Sequence, residues 1–171
     1  ATVMDAIASV FAGETIPPVS LVEWQHSSLP IEIEVVAWRP GGRSKEPVSF
    51  ATPPGLSSSP VFSRVATIHS QNRIYVAGLH SSGQQADVSQ VKSVFDQLKS
   101  SLGPHQSDLR HLAKATYYVT NPASSGELNR LRPSLYDPKR PPAASKAMVS
   151  GVGFEGRTIL IDMIATGSVS P

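Results

Sequence analysis

Residues 140–165 read RPPAASKAMVSGVGFEGRTILIDMIA, and this stretch decides how the chain is read. Pro141 and Pro142 punctuate it, a short strand follows, a Gly-rich turn comes next, and a β-branched strand closes it. A weaker copy lies upstream. There Pro17-Pro18-Val19-Ser20-Leu21-Val22 precedes Leu29-Pro30 and then Ile31-Glu32-Ile33-Glu34-Val35-Val36-Ala37-Trp38. The echo extends backwards, since Ser9-Val10-Phe11 stands before Ser20 as Ser134-Leu135-Tyr136 stands before Ser145. A helix, a proline turn and two strands therefore occur twice, which marks an internal repeat.

Composition sets the outer limits. In 171 residues, 40% hydrophobic content is enough for a real core, and 16% charge is too little for wholesale disorder. A net charge of +2 with no run of like charges gives no polybasic tail. Zero cysteines exclude disulfides, thiol catalysis and thiolate metal sites. No apolar run reaches the length of a membrane span, and the start of the chain lacks the pattern of a signal peptide. A soluble, cytoplasmic protein is the expectation.

Residues 3–11 place Val3, Ile7, Val10 and Phe11 on one helical face, with Gly13 as the stop. Residues 20–24 and 31–38 read as two strands, the second with an apolar face and a face of carboxylates. Such a helix and strand pair cannot stand alone, so residues 4–38 are expected to pack as part of a half-module. Residues 39–60 hold five prolines, three glycines and five serines, and read as an extended linker. Beyond it, residues 61–68 and 73–79 read as a hairpin turning near Gln71-Asn72. Asp87 and Gln90 form a capping-box pattern opening a helix to Leu102, with Val91, Val94, Phe95, Leu98 and Leu102 as its buried stripe. Residues 113–119 alternate as a strand. Ser124 or Ser125 is expected to cap a second helix bearing Leu128, Leu131 and Leu135, which Pro133 should kink or shorten. Strands at 145–150 and 158–166 finish the order β-β-α-β-α-β-β, an α+β sheet with both helices on one face.

That order, with these words at its corners, resembles the RidA/YjgF family of enamine and imine deaminases. The points of contact are Ile74-Tyr75-Val76-Ala77-Gly78, Lys114-Ala115-Thr116-Tyr117-Tyr118-Val119, Leu128-Asn129-Arg130-Leu131, Pro142-Ala143-Ala144-Ser145 and Ile159 to Ala165. They span roughly residues 60–166, and residues 61–171 would form a complete module. Residues 1–38 are similar to the last third of another, with Pro17-Pro18-Val19-Ser20 standing for the family's P-A-R-S and Ile31-Glu32-Ile33-Glu34 for its V-E-I-E. The resemblance implies a tandem protein with an incomplete first module. It also implies a chorismate mutase-like fold and a homotrimer with ligand clefts between subunits.

The same resemblance puts deamination in question. The family's arginine, which grips a substrate carboxylate, is replaced by Ala144, and by Val19 in the half copy. The family's water-activating glutamate is replaced by Leu160, with Asp162 two residues on; the carboxylate survives as Glu32 in the half copy. The family's asparagine survives as Asn129. Lys146, two positions beyond Ala144, could supply the missing positive charge, against the plainer reading of a solvated strand lysine. His80 and Gly78 lie where the family has its pocket, although a loop histidine is commonly just polar surface. No histidine pair has ligand spacing, so no metal and no cofactor is expected.

The ligand-binding candidates are thus Lys146, Asn129, His80, Gly78, Asp162 and Glu32. A small-metabolite-binding protein with the deaminase residues replaced is the first expectation. An active deaminase or related hydrolase with a rearranged site such as Lys146, Asn129 and Asp162 is the second. An RNA-binding or translation-inhibitor role resting on Arg130, Arg132, Lys139 and Arg140 is third, because no aromatic stripe interleaves those cations.

Overall fold

The computed structural model describes residues 3–13, 20, 22–24, 37, 44–82 and 87–167. The strand expected at 31–38 lies almost wholly outside the described residues. Helix α1 spans Val3–Val10 and strand β1 spans Glu23–Trp24. Next come β2 (Val48–Ala51), β3 (Val65–Ile68), β4 (Arg73–His80), α2 (Asp87–Leu102), β5 (Leu112–Val119), α3 (Pro122–Leu135), β6 (Ala143–Gly151) and β7 (Ile159–Thr166). The main sheet runs β1-β6-β5-β7-β4, with β5 and β6 parallel and the other neighbours antiparallel. The architecture is the expected α+β arrangement.

Strand β7 is paired on both edges and apolar except for Asp162 and Thr166. Ile159, Leu160, Ile161 and Ala165 are fully buried, and Met163 nearly so. Its odd-numbered residues meet Tyr117, Val119 and Ala115 of β5 and the stripes of α2 and α3 in one core. Both helices cover this face. On the opposite face Leu160 joins Ala147, Val149 and Val152, with Val22 and Tyr118 against them. Short β1 pairs with the far end of β6, where Glu23 faces Gly151 and Trp24 faces Val149. Upstream residues 23–24 thus extend the main sheet at the β6 edge. Val10 on α1 is exposed, so the apolar face expected there is not buried at that position.

Three local expectations are corrected. The strands at 61–68 and 73–79 do not form a hairpin with each other. Instead β3 pairs with β2, Val48 facing Ile68 and Ala51 facing Val65, while β4 pairs with β7. The reason is that β7, buried on both faces, takes β4 as its second edge partner, leaving β3 to recruit residues 48–51 from the stretch read as linker. Helix α3 is capped by Asn121, whose Oδ1 accepts the Ser124 N–H at 2.9 Å, with Pro122 at the first turn; neither serine is the cap. Nor does Pro133 shorten α3, which continues to Leu135. Its missing N–H would have bonded the carbonyl of Asn129, on an exposed side of the helix where water can substitute.

The helix N-termini are tied to the β6–β7 turn by a buried polar network. Gln90 Oε1 accepts from Ser81 Oγ and from the Thr158 N–H, and Gln90 Nε2 donates to the Gly156 carbonyl at 3.0 Å. Ser124 Oγ donates to Thr158 Oγ1 at 2.7 Å, and Asn121 Nδ2 donates to Asp87 Oδ2 at 2.9 Å. Removing one member strands buried partners. Gln90→Ala is expected to lower stability by about 2–4 kcal/mol. Urea unfolding measures this, and a loss below about 0.5 kcal/mol, typical of a surface change, would remove the network from the account.

Candidate functional site

The pleat of the sheet sorts the candidate residues onto two faces. Tyr117 of β5 lies opposite both Lys146 of β6 and Ile161 of β7, so Lys146 points to the helix side. Thr116 lies opposite Ser145 and Asp162, so Asp162 points to the other side. The expected grouping of Lys146, Asn129 and Asp162 around one ligand is therefore split by the sheet within a single chain.

Asp162 has a structural task. Residues 77 and 78 of β4 bulge against β7, and Gly78 takes the left-handed conformation with φ of 66°. The Gly78 N–H, freed from the ladder by the bulge, donates to Asp162 Oδ1 at 2.8 Å, and Ser20 Oγ donates to the same oxygen. Gly78 and Asp162 are thus brought together, on the face away from Lys146. His80 sits one step further along β4. Its ring stacks on Phe154, with centroids 4.0 Å apart, and its Nδ1 lies 2.9 Å from the Ser81 carbonyl. Glu32 lies outside the described residues.

On the helix side Lys146 and Asn129 meet. Lys146 Nζ donates to Ser125 Oγ at 2.9 Å and to Asn129 Oδ1 at 3.2 Å. Arg132 Nη2 donates to the same Asn129 oxygen at 2.7 Å. Ser125, Asn129 and Arg132 recur at helical spacing, so α3 presents them as one polar stripe along β6. Burial, reinforced by the nearby Arg132 charge, pulls the Lys146 ammonium below its usual range. Ala144, on the same side of β6, packs against the core. Leu160, at the place of the family's glutamate, is fully buried among apolar groups.

Beneath this stripe lies a tyrosine pair. The Tyr117 and Tyr136 hydroxyls are 2.6 Å apart, and the Arg132 guanidinium stands 5.6 Å from the Tyr117 ring centre. Burial pushes Tyr117 up to about 12, while its bond to Tyr136 and the Arg132 charge oppose the rise. Tyr136 is raised well above the usual range, by burial first and then by Tyr117. In the sequence Arg132 reads as part of a loose basic cluster, and Ser125 as a cap candidate and not a site residue. The signal was their spacing around Asn129, opposite a strand lysine. Among the described residues no group of three or more His, Asp and Glu side chains is arranged to hold a metal. No described helix is long and apolar enough to cross a membrane.

The tyrosine pair generates a pH prediction. An unfolded tyrosine ionises near 10, whereas Tyr117 in the folded chain holds its proton to about 12. The unfolded state therefore binds fewer protons than the folded state across that window. Stability is fully present below pH 10 and falls as pH rises, by about 1.4 kcal/mol for each unit in which only the unfolded tyrosine is ionised. Denaturant unfolding between pH 9 and 12 checks this. Replacing Tyr117 and Tyr136 together by Phe should flatten the slope, and an unchanged slope would be the contrary result.

No family model and no curated protein matches the sequence. Solved structures do. The Rid-family protein YyfB from Yersinia pestis, itself described as of unknown function, superposes with a TM-score of 0.62 at 20% identity, covering 71% of this chain and 99% of its own. A YjgF-family protein from Neisseria meningitidis gives 0.53 at 18% identity, covering 72% of this chain and 97% of its own. Yeast Mmf1 gives 0.51 at 21% identity, covering 71% and 98%. On these likenesses and the strand order above, this chain has the α+β fold of the YjgF/Rid proteins.

Proposed function

We propose that this chain is a Rid-like small-metabolite-binding protein whose ligand site is the polar surface where α3 meets β6. The observation that carries it is the convergence of Lys146 and Arg132 on Asn129 Oδ1. Asn129 stands where the resemblance expects ligand contact, and Lys146 lies two positions beyond Ala144, the place of the family's arginine. Lys146, Arg132 and Ser125 there are donors that could meet an acceptor-rich ligand. Standard imino acid deamination is absent or very slow in this reading. Ala144 cannot grip a carboxylate, and Leu160 cannot activate water, help that is typically worth about a hundredfold or more. Asp162 does not replace it, because its Oδ1 is engaged by the Gly78 N–H and Ser20 Oγ, on the face away from Lys146. That separation also weighs against a rearranged hydrolase within one subunit. Ion pairing of Arg130 with Glu127, and of Arg140 with Glu46, weighs against an RNA-binding surface.

Ammonia release from 2-iminobutanoate generated in situ tests the catalytic side. Turnover within about tenfold of the uncatalysed rate is expected, and family-like rates would overturn the reading. Should activity appear, Lys146→Ala would abolish it if Lys146 is the anchor.

The proposal includes a homotrimer with this surface facing a neighbouring subunit. Its support is the likeness in fold and the exposed apolar side chains Trp24, Tyr75 and Phe154. Multi-angle light scattering at micromolar concentration is expected to give three times the chain mass of 18.2 kDa. A clean monomer would reject this assembly.

A further inference from the structure

Lys146 Nζ and Arg132 Nη2 lie within about 6 Å of one another, since both are in hydrogen-bond range of one oxygen, Asn129 Oδ1. That oxygen is neutral. It can orient two cations but cannot offset their charge. Arg132 Nε is buried and has no hydrogen-bond partner. Among the described residues neither cation has a carboxylate partner. Glu127, on the same helix, is taken by Arg130 through two bonds of 2.8 and 2.6 Å. Two half-buried like charges this close are costly without a counter-charge.

We propose that the Lys146–Arg132 pair recognises a dianionic head group, the phosphate monoester of a small metabolite, seated on the polar surface where α3 meets β6. This rests on the reading of that surface as a ligand site and narrows it to one ligand class. Charge decides between anions. A single carboxylate would leave one positive charge unmatched. A dicarboxylate carries its two charges on separate groups, whereas these two cations converge on one atom. A phosphate puts both charges on one tetrahedral centre with three free oxygens. Arg132 and Lys146 can each take one. Ser125 Oγ accepts from Lys146, which leaves its own O–H to donate to the third.

The test is an NMR titration of the full chain with methyl phosphate, and with acetate and succinate at matched ionic strength. The backbone signals of Ser125 and Asn129 are followed. Methyl phosphate should saturate, binding about tenfold or more tightly than either carboxylate. Lys146→Gln and Arg132→Gln should each weaken it by about tenfold or more, with a native circular dichroism spectrum as the check on folding. Arg130→Ala, which breaks only the pair with Glu127, should leave binding unchanged. Carboxylates that match methyl phosphate, an absence of saturation, or full binding in well-folded Lys146→Gln would each overturn the dianion assignment. The two readings separate cleanly. If acetate or an uncharged metabolite shifts these signals and methyl phosphate does so no better, the surface remains a ligand site and the phosphate is wrong. If a broad set of small metabolites leaves the signals still, the ligand site itself is wrong.

Discussion

The structure depends on keeping both faces of β7 dry. Ile159, Ile161, Met163 and Ala165 need a helical layer on one side, and fully buried Leu160 needs cover on the other. A strand buried on both faces has no solvent-facing register to slip into, so its pairings with β5 and β4 are tightly specified. Those pairings fix the rest. Because β5 is held against β7, the parallel partner β6 is set so that Lys146 lies beside Tyr117. The same register sends Asp162 to the far face. The faces on which Lys146 and Asp162 lie follow from one hydrophobic strand and its period of two.

The fold was legible in the sequence because its strongest signals are local. The stripe from Val91 to Leu102, the β-branched run at 159–166 and the alternation at 113–119 each name their own element. What could not be read depended on long-range choices. The pairing of β3 with residues 48–51 is set by competition for β7, which no local window contains. Asn121 was overlooked as a cap because two serines nearer the apolar run have the same chemistry. Only the fixed φ of Pro122 shifts the helix start back to the asparagine. At the candidate site, Lys146 and Asn129 were legible as partners. Asp162 reads as a member of the same group because it shares a face with Leu160, the place of the family's glutamate; that this face is the one away from Lys146 follows only from the register of β5 against β6 and β7.

The helices hold their places for a different reason. Apolar burial is non-directional and would allow α2 and α3 to slide along the sheet. The hydrogen bonds of Gln90 with Ser81, Thr158 and Gly156, and of Ser124 with Thr158, are directional. They pin both helix N-termini to one turn between β6 and β7. The placement of α3 matters most, because it carries Ser125 and Asn129 to Lys146. A shift of one residue along the helix axis, about 1.5 Å, would carry Asn129 Oδ1 out of range of one of its two cations.

That geometry sets what the proposed ligand site would select. A planar arginine fork, as in the P-A-R-S turn of the family this chain resembles, matches one carboxylate with two parallel bonds and thereby fixes its plane. Here the charge is divided between an ammonium on a strand and a guanidinium on a helix, joined only through a neutral amide. Such a pair specifies the location and amount of negative charge more strongly than the orientation of a plane. Binding is then less demanding of ligand shape beyond the head group. Catalysis suffers more, since the reacting atoms must be held to a fraction of an ångström, and misplacement by about 1 Å can cost on the order of a hundredfold in rate. Division of the anchor between two elements thus favours recognition over turnover. The burial of Leu160 at the place of the family's carboxylate points the same way.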